Sequence, residues 1–171
     1  MNEHQGRHII PLMIATLFGI GRLRPAPGTW GSLAALPFAI VVQNFGGFWV
    51  FAAVTCAIAV LSWWAVGQTA MISAQPDPPE IVIDEVVGQW IALWPVAFGA
   101  QWADTSMQSL WPGILTAFVA FRILDIWKPG PIGWADARPG AFGIMADDMI
   151  AGGVAALIVV VFGAIAHGVL V

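Results

Sequence analysis

Charge is so scarce in this chain that water cannot be its only solvent. Of 171 residues, 6 are Lys or Arg and 10 are Asp or Glu, so 9% of the chain is charged where a soluble domain averages about 25%. With 59% apolar residues and a mean hydropathy of +0.83, too little polar surface remains to cover a water-facing globule. The composition predicts an all-α polytopic membrane protein. At about 20 residues per crossing, it has room for five or six membrane helices in a single domain over residues 1–171. The one cysteine, Cys56, excludes an internal disulfide and a Cys-cluster metal site, and is expected to pack inertly mid-helix. His4, His8 and His167 lie near the two ends, so no histidine constellation for zinc or nucleophilic catalysis is visible.

The apolar stretches are separated by recognisable breakers. Ile9 to Gly21 is apolar but short of a 30 Å hydrocarbon core, and is read as a short or re-entrant first segment rather than a signal peptide. A helix interrupted by Pro37 is expected from Trp30 to Val42, then a turn at Asn44-Phe45-Gly46-Gly47. Phe48 to about Ala74 is the longest apolar run, stopped by Gln75-Pro76-Asp77-Pro78-Pro79-Glu80. Further helices are expected from Ile83 to Ala103, from Ser109 to Lys128 and from Ile144 to His167, the last preceded by a loop from Pro129 to Gly143.

Charge follows this segmentation. Arg22 and Arg24, then Asp77 and Glu80, then Lys128, Asp136 and Arg138 fall in alternate connections, and the connections between them hold no Lys or Arg. The positive-inside bias puts the charged connections in the cytoplasm. Trp49, Trp102 and Trp111 border these connections without Lys or Arg, as an interfacial belt does.

Three clusters combine charge with a helix end. Asp84-Glu85 open an apolar helix, and Asp147-Asp148 repeat the design near the start of the last one. One carboxylate suffices to cap a helix and complement its dipole. Two pairs on one membrane face repel unless a cation joins them, and Mg²⁺ takes carboxylate and phosphate oxygens. Arg122, Asp125 and Lys128 follow at i, i+3 spacing and form one helix stripe. That stripe is either a self-neutralising ladder or a phosphate clamp of guanidinium fork and ammonium. Pro27-Gly28-Thr29-Trp30-Gly31-Ser32 is an anion-compatible turn in which Thr29 or Ser32 can cap the next helix.

Together the segments Ala26–Leu33, Val82–Trp90, Phe121–Pro129 and Gly143–Gly152 resemble the motif set of the bacterial phosphatidylglycerophosphatase A family, in the same order across residues 18–155. Two positions depart from it: Gly130 stands where the family often has Trp, and Gly140-Ala141 replaces a glycine pair. The resemblance implies an inner-membrane, Mg²⁺-dependent phosphatase converting phosphatidylglycerophosphate to phosphatidylglycerol and phosphate. Asp84, Glu85, Asp147 and Asp148 are then expected to hold one or two Mg²⁺ ions. Asp84, Glu85, Asp148 and Asp125 are the expected catalytic set, with Asp125 orienting the cations or acting as base. Thr29, Ser32, Arg122 and Lys128 are expected to bind substrate, and Arg22, Arg24 and Arg138 to draw in the anionic lipid.

Other phosphatase classes fail on the residues. There is no Lys-x6-Arg-Pro with paired histidines, no Asp-x-Asp, and no Cys-x5-Arg. The rival function is a small ion transporter or channel, which calls for carboxylates at mid-membrane depth rather than at helix ends. A non-catalytic lipid-binding scaffold is a third reading. The expected partners are the lipid substrate and the membrane, with a homo-oligomer left open and no nucleic acid.

Overall fold

The computed structural model describes residues 3–70 and 78–169, which contain helices and turns and no strand. The Pro76 break and Asp77 fall outside the described residues. Helix α1 covers Glu3–Ala15, α2 Pro27–Ala70, α3 Ile83–Trp102, α4 Trp111–Trp127, α5 Pro131–Asp136 and α6 Ala141–Val169.

Several boundaries differ from the sequence-based expectation. The first helix begins before Ile9 and stops at Ala15, where Leu17, Phe18 and Gly19 take positive φ and unwind the chain into a 3₁₀ turn at Ile20–Arg22. At 13 residues and 1.5 Å per residue it reaches only about 20 Å, too short to cross by itself. Pro37 does not interrupt α2. Only Gly47 leaves helical geometry there, at φ 70°, ψ −174°, a conformation open to glycine and not to residues with a Cβ. The expected loop after Lys128 contains α5, which starts after Gly130 (φ 53°) with Pro131 in its first turn.

The Gly47 break turns α2 back on itself. Along its first half, Ala35 O accepts from Trp90 Nε1 at 2.9 Å and Gln43 Nε2 donates to Ala97 O at 3.0 Å, so this half runs parallel to α3. The Phe48 backbone N–H then donates to Gln101 Oε1 at 2.6 Å, and Trp94 Nε1 donates to Thr55 Oγ1 at 3.3 Å as the second half returns. Trp63 meets Phe142 at the start of α6, 6.0 Å between ring centroids. Helix starts at Pro27, Ile83 and Ala141 therefore gather at one end with the C-terminus of α4. Three helical stretches, Pro27–Thr69, Met107–Trp127 and Ala141–Ala166, are long and apolar enough to cross a membrane. The first of them contains the Gly47 turn, so these three helices do not by themselves count the crossings, for which composition suggested five or six.

The core is built from small residues and a few large ones. Phe51, Leu93, Met107, Phe121 and Met145 are fully buried, while Ala35, Ala39, Ala92, Ala97 and Ala151 let the helices approach. Large apolar side chains point outward along every long helix, Val60, Leu115, Ile123 and Leu157 among them. Cys56 also faces outward rather than packing inside. An outer surface this apolar is normal for lipid and abnormal for water.

A close backbone contact joins α3 to α6. A Cβ on Gly152 would collide with the backbone of Gly88, and a Cβ on Gly88 would lie 2.6 Å from the Asp148 carbonyl oxygen and against the Phe121 ring. Gly152→Val should therefore force the helices apart and destabilise the protein by about 2–3 kcal/mol or more. Gly153→Ala, with open space around its Cβ, should stay within about 0.5 kcal/mol of wild type. Thermal unfolding of both variants in one detergent checks the difference, and equal midpoints would contradict the contact.

Candidate active site

Asp84 lies one helical turn above Gly88 on α3, and Asp148 one turn above Gly152 on α6, so the glycine contact brings the two carboxylates face to face. Glu85 and Asp147 follow as their chain neighbours. From α4 come Arg122 and Asp125, and Lys128 caps that helix in the left-handed region (φ 47°), its N–H donating to Leu124 O at 2.8 Å before Pro129 ends the turn. All seven side chains line one cavity of about 300 Å³, together with the Gly28 backbone, Asp136 and Arg138. The two acidic pairs and the α4 stripe thus form a single site.

Within the site the cations hold the acids from behind. Arg122 Nη1 lies 2.6 Å from Asp125 Oδ2 and 4.0 Å from Glu85 Oε1, and donates to Ser32 Oγ at 3.3 Å. Lys128 Nζ donates to Asp147 Oδ2 at 2.8 Å and also pairs with Asp136. Burial alone would lower the Lys128 pKa, but its hydrogen bonds to Asp136 and Asp147 outweigh it and hold the ammonium well above the ordinary lysine value. It is charged at any working pH. Arg138 stacks its guanidinium 4.5 Å over the Trp134 ring at the rim, and no acid pairs with it among the described residues.

Compensation is incomplete. Asp84, Asp147 and Asp148 are 8%, 3% and 3% exposed, and Asp84 Oδ1, Glu85 Oε2, Asp147 Oδ1 and Asp148 Oδ1 find no hydrogen-bond partner among the described residues. Burying an ionised carboxylate without a partner costs several kcal/mol even after relaxation, so four orphaned oxygens lining one cavity call for cations. The geometry offers them ligands. Asp84, Glu85 and Asp148 can each place a carboxylate oxygen within 4.8 Å of the others, and so can Asp125, Asp147 and Asp148. An all-oxygen donor set of this kind suits a hard divalent ion such as Mg²⁺.

Two expected substrate contacts sit elsewhere. Helix α2 starts at Pro27, so neither Thr29 nor Ser32 is its cap, and neither lines the cavity. Ser32 is fully buried, donates back to Gly28 O at 2.9 Å, and reaches the site only through Arg122. Arg22 and Arg24 are exposed and lie outside the cavity lining.

One feature sharpens the sequence reading of the Pro27–Ser32 glycines, and two others escaped it. Gly28 leaves no room for a side chain beside Glu85 and Arg122, with Arg122 Nη1 3.2 Å from where its Cβ would stand. Asp136 pairs with Lys128 across a loop. Gln89, one turn below Glu85, is fully buried with both amide atoms unpartnered among the described residues. Only the i, i+4 spacing of Glu85 and Gln89 pointed to the last.

A charge test follows from the Arg122 contacts. Arg122→Met leaves Asp125 and Glu85 uncompensated and should cost about 3–5 kcal/mol of stability. Adding Asp125→Asn should recover at least 1 kcal/mol of that loss, because the pair is then removed as a unit. Unfolding measurements across the double-mutant cycle read the coupling, and strict additivity would show that the pair does not interact.

Comparison with known proteins finds matches over most of the chain. A profile of the family described as phosphatidylglycerophosphatase A matches residues 13–163. The chain is 36% identical over 152 residues to the phosphatidylglycerophosphatase A of Escherichia coli (strain K12), covering 88% of this chain and 82% of that one. It is 36% identical over 149 residues to the protein of that name from Haemophilus influenzae, covering 86% and 85%. A Bacteroides thetaiotaomicron protein named as a candidate phosphatidylinositol-3-phosphatase is 33% identical over 153 residues, covering 84% and 87%. No solved structure matches the chain.

Proposed function

The chain belongs to the phosphatidylglycerophosphatase A family, and from that footing we propose that it hydrolyses the terminal phosphate of phosphatidylglycerophosphate, giving phosphatidylglycerol and inorganic phosphate with Mg²⁺ as cofactor. The observation that carries the reading is the cavity in which four orphaned carboxylate oxygens are gathered with Arg122, Lys128 and Arg138. Asp84, Glu85, Asp147 and Asp148 are the residues that would hold Mg²⁺. Bound there, the ion supplies positive charge to the phosphoryl oxygens and lowers the pKa of the attacking water.

The remaining chemistry belongs to the protein's own side chains. Arg122, kept in place by Asp125 and Ser32, offers its guanidinium to the phosphoryl oxygens as their charge grows. Lys128, 30% exposed in its side chain, adds a mobile point charge at the open side of the cavity. Gly28, having no side chain, lets the Glu85 carboxylate and the Arg122 guanidinium close on the start of α2. The apolar outer surface leaves the diacylglycerol part of the substrate in lipid while its headgroup enters the cavity.

We further propose an inner-membrane location with the site on the cytoplasmic face. Arg22, Arg24, Lys128 and Arg138 all belong to the site end, whereas the Gly47 turn and the connection between Trp102 and Trp111 hold no Lys or Arg. Phe45, Trp49, Trp102 and Trp111 are 90%, 70%, 84% and 65% exposed at that far end, and Trp127 and Trp134 are 81% and 54% exposed at the site end. Two aromatic girdles at opposite ends of the bundle suit two membrane interfaces. On this reading the halves of α2 cross separately, α3, α4 and α6 cross once each, and α1 lies along the cytoplasmic surface.

Phosphate release by purified protein in lipid–detergent micelles tests the activity. Phosphatidylglycerophosphate should be cleaved with Mg²⁺ and left intact in EDTA. Asp84→Asn, Glu85→Gln, Asp147→Asn and Asp148→Asn should each lower kcat by about 100-fold or more, the scale of losing a group that stabilises transition-state charge. Near-wild-type rates in all four would remove the carboxylates from the chemistry. Phosphatidylinositol 3-phosphate and phosphatidic acid, run alongside, define the headgroup that the cavity accepts.

A further inference from the structure

The acidic side chains of the cavity fall into two sets that share one member. Asp84 and Glu85 come together with Asp148, and Asp125 and Asp147 come together with the same Asp148, but the five do not converge on a common point. We propose that the site holds two divalent cations with Asp148 bridging them, one bound by Asp84 and Glu85 and the other by Asp125 and Asp147. The inference deepens the phosphatase reading and rests on its cation requirement.

Two observations beyond the clustering of acids carry it. First, unpartnered oxygens occur on both sides of Asp148. Asp84 Oδ1 and Glu85 Oε2 are orphaned on one side and Asp147 Oδ1 on the other, with Asp148 Oδ1 between them, and Asp84, Asp147 and Asp148 are each more than nine-tenths buried. An ion among one triad satisfies its own oxygens and leaves the buried oxygens of the other side unpaired.

Second, the protein has set its own cations on one oxygen of two of the three carboxylates in the second triad. Arg122 holds Asp125 by Oδ2 and Lys128 holds Asp147 by Oδ2, which fixes both groups, and Asp147 Oδ1 is left without a partner among the described residues. Outer partners that orient a ligating carboxylate in this way are the usual support of a metal ligand. Asp125 is then an ion ligand, a role beyond the two expected from the sequence, orienting the cations or acting as base.

Charge decides between one ion and two. Six carboxylates line the cavity, Asp136 included, against the three cations Arg122, Lys128 and Arg138, which leaves three negative charges uncompensated. One divalent ion leaves the cavity with net charge −1, which repels a phosphate monoester. Two divalent ions bring it to +1, which attracts one. Paired ions clamping the attacking and leaving oxygens are a general solution for phosphoryl transfer, and a single carboxylate between two triads is a way to hold them.

The test counts ions independently of turnover. Full-length protein in detergent is titrated with Mn²⁺, and bound ion is read by electron paramagnetic resonance, with thermal unfolding as the folding control. Wild type should bind two Mn²⁺ per chain with an exchange-coupled signal. Asp84→Asn and Asp125→Asn should each bind one Mn²⁺ with an uncoupled signal, and Asp148→Asn should weaken both ions at least tenfold. If Asp148→Asn fails to fold, the wild-type count and the two flanking variants decide.

One Mn²⁺ per wild-type chain, two that are uncoupled, or none, would overturn the proposal, as would two coupled ions persisting in Asp125→Asn. Mg²⁺-dependent phosphate release measured on the same preparation separates the two readings. Release with a single bound ion sinks the bridge and leaves the phosphatase. A coupled pair without release of phosphate from any lipid monoester sinks the phosphatase and leaves the bridge.

Discussion

The close approach of α3 and α6 at Gly88 and Gly152 is the constraint on which the site depends. No side chain separates the two backbones there, and one turn nearer the helix starts Asp84 and Asp148 are pressed into the same small volume. Without that contact the helices would stand a side-chain width further apart, and each acidic pair would be an ordinary helix-start pair. With it, carboxylates that repel one another are held together by packing, and the cost is met by Arg122, Lys128 and whatever cation the cavity admits.

The rest of the bundle serves this arrangement. The glycine break at Gly47 returns α2 to the site end, and α4 runs toward that end so that its last turn supplies Arg122, Asp125 and Lys128. Cation and acid alternate in depth. Arg122 sits inside, 14% exposed in its side chain, between Asp125, Glu85 and Ser32, whereas Lys128 is twice as exposed and bridges Asp147 to the outer Asp136. A buried fork and an outer ammonium give a phosphate two different kinds of contact. The apolar exterior explains why such a polar site can exist in so small a chain, since helices solvated by lipid can leave their polar residues for one end.

Particular residues show how much of this was legible. The Arg122–Asp125–Lys128 stripe follows from helical spacing, and its ion pairing follows from opposite charge at i, i+3. The two acidic pairs at helix starts were visible for the same local reason. The Pro37 interruption was a misreading: a proline removes one backbone hydrogen bond, and burial of Ala35 and Ala39 on either side keeps the helix in place. Thr29 and Ser32 looked like caps because their side chains suit that role, but the helix starts earlier, at Pro27, whose missing N–H costs nothing in a first turn. The short α5 was hidden in a Pro/Gly-rich segment because six residues carry too little periodicity to reveal a helix.

Composition by itself determined the helical class and an apolar exterior, because 16 charged residues cannot solvate 171 in water. Local spacing determined which charges share a helix face, and the ordered motifs determined the family. Only the tertiary structure decided that the two acidic pairs meet, that Asp148 belongs to both carboxylate triads, and that Lys128 reaches Asp136 and Asp147 while Ser32 reaches the site only through Arg122. The physical reason is range. Helical periodicity fixes neighbours within four residues, whereas Asp84 and Asp148 meet across 64 positions of sequence through a glycine contact whose significance exists only when both helices are present.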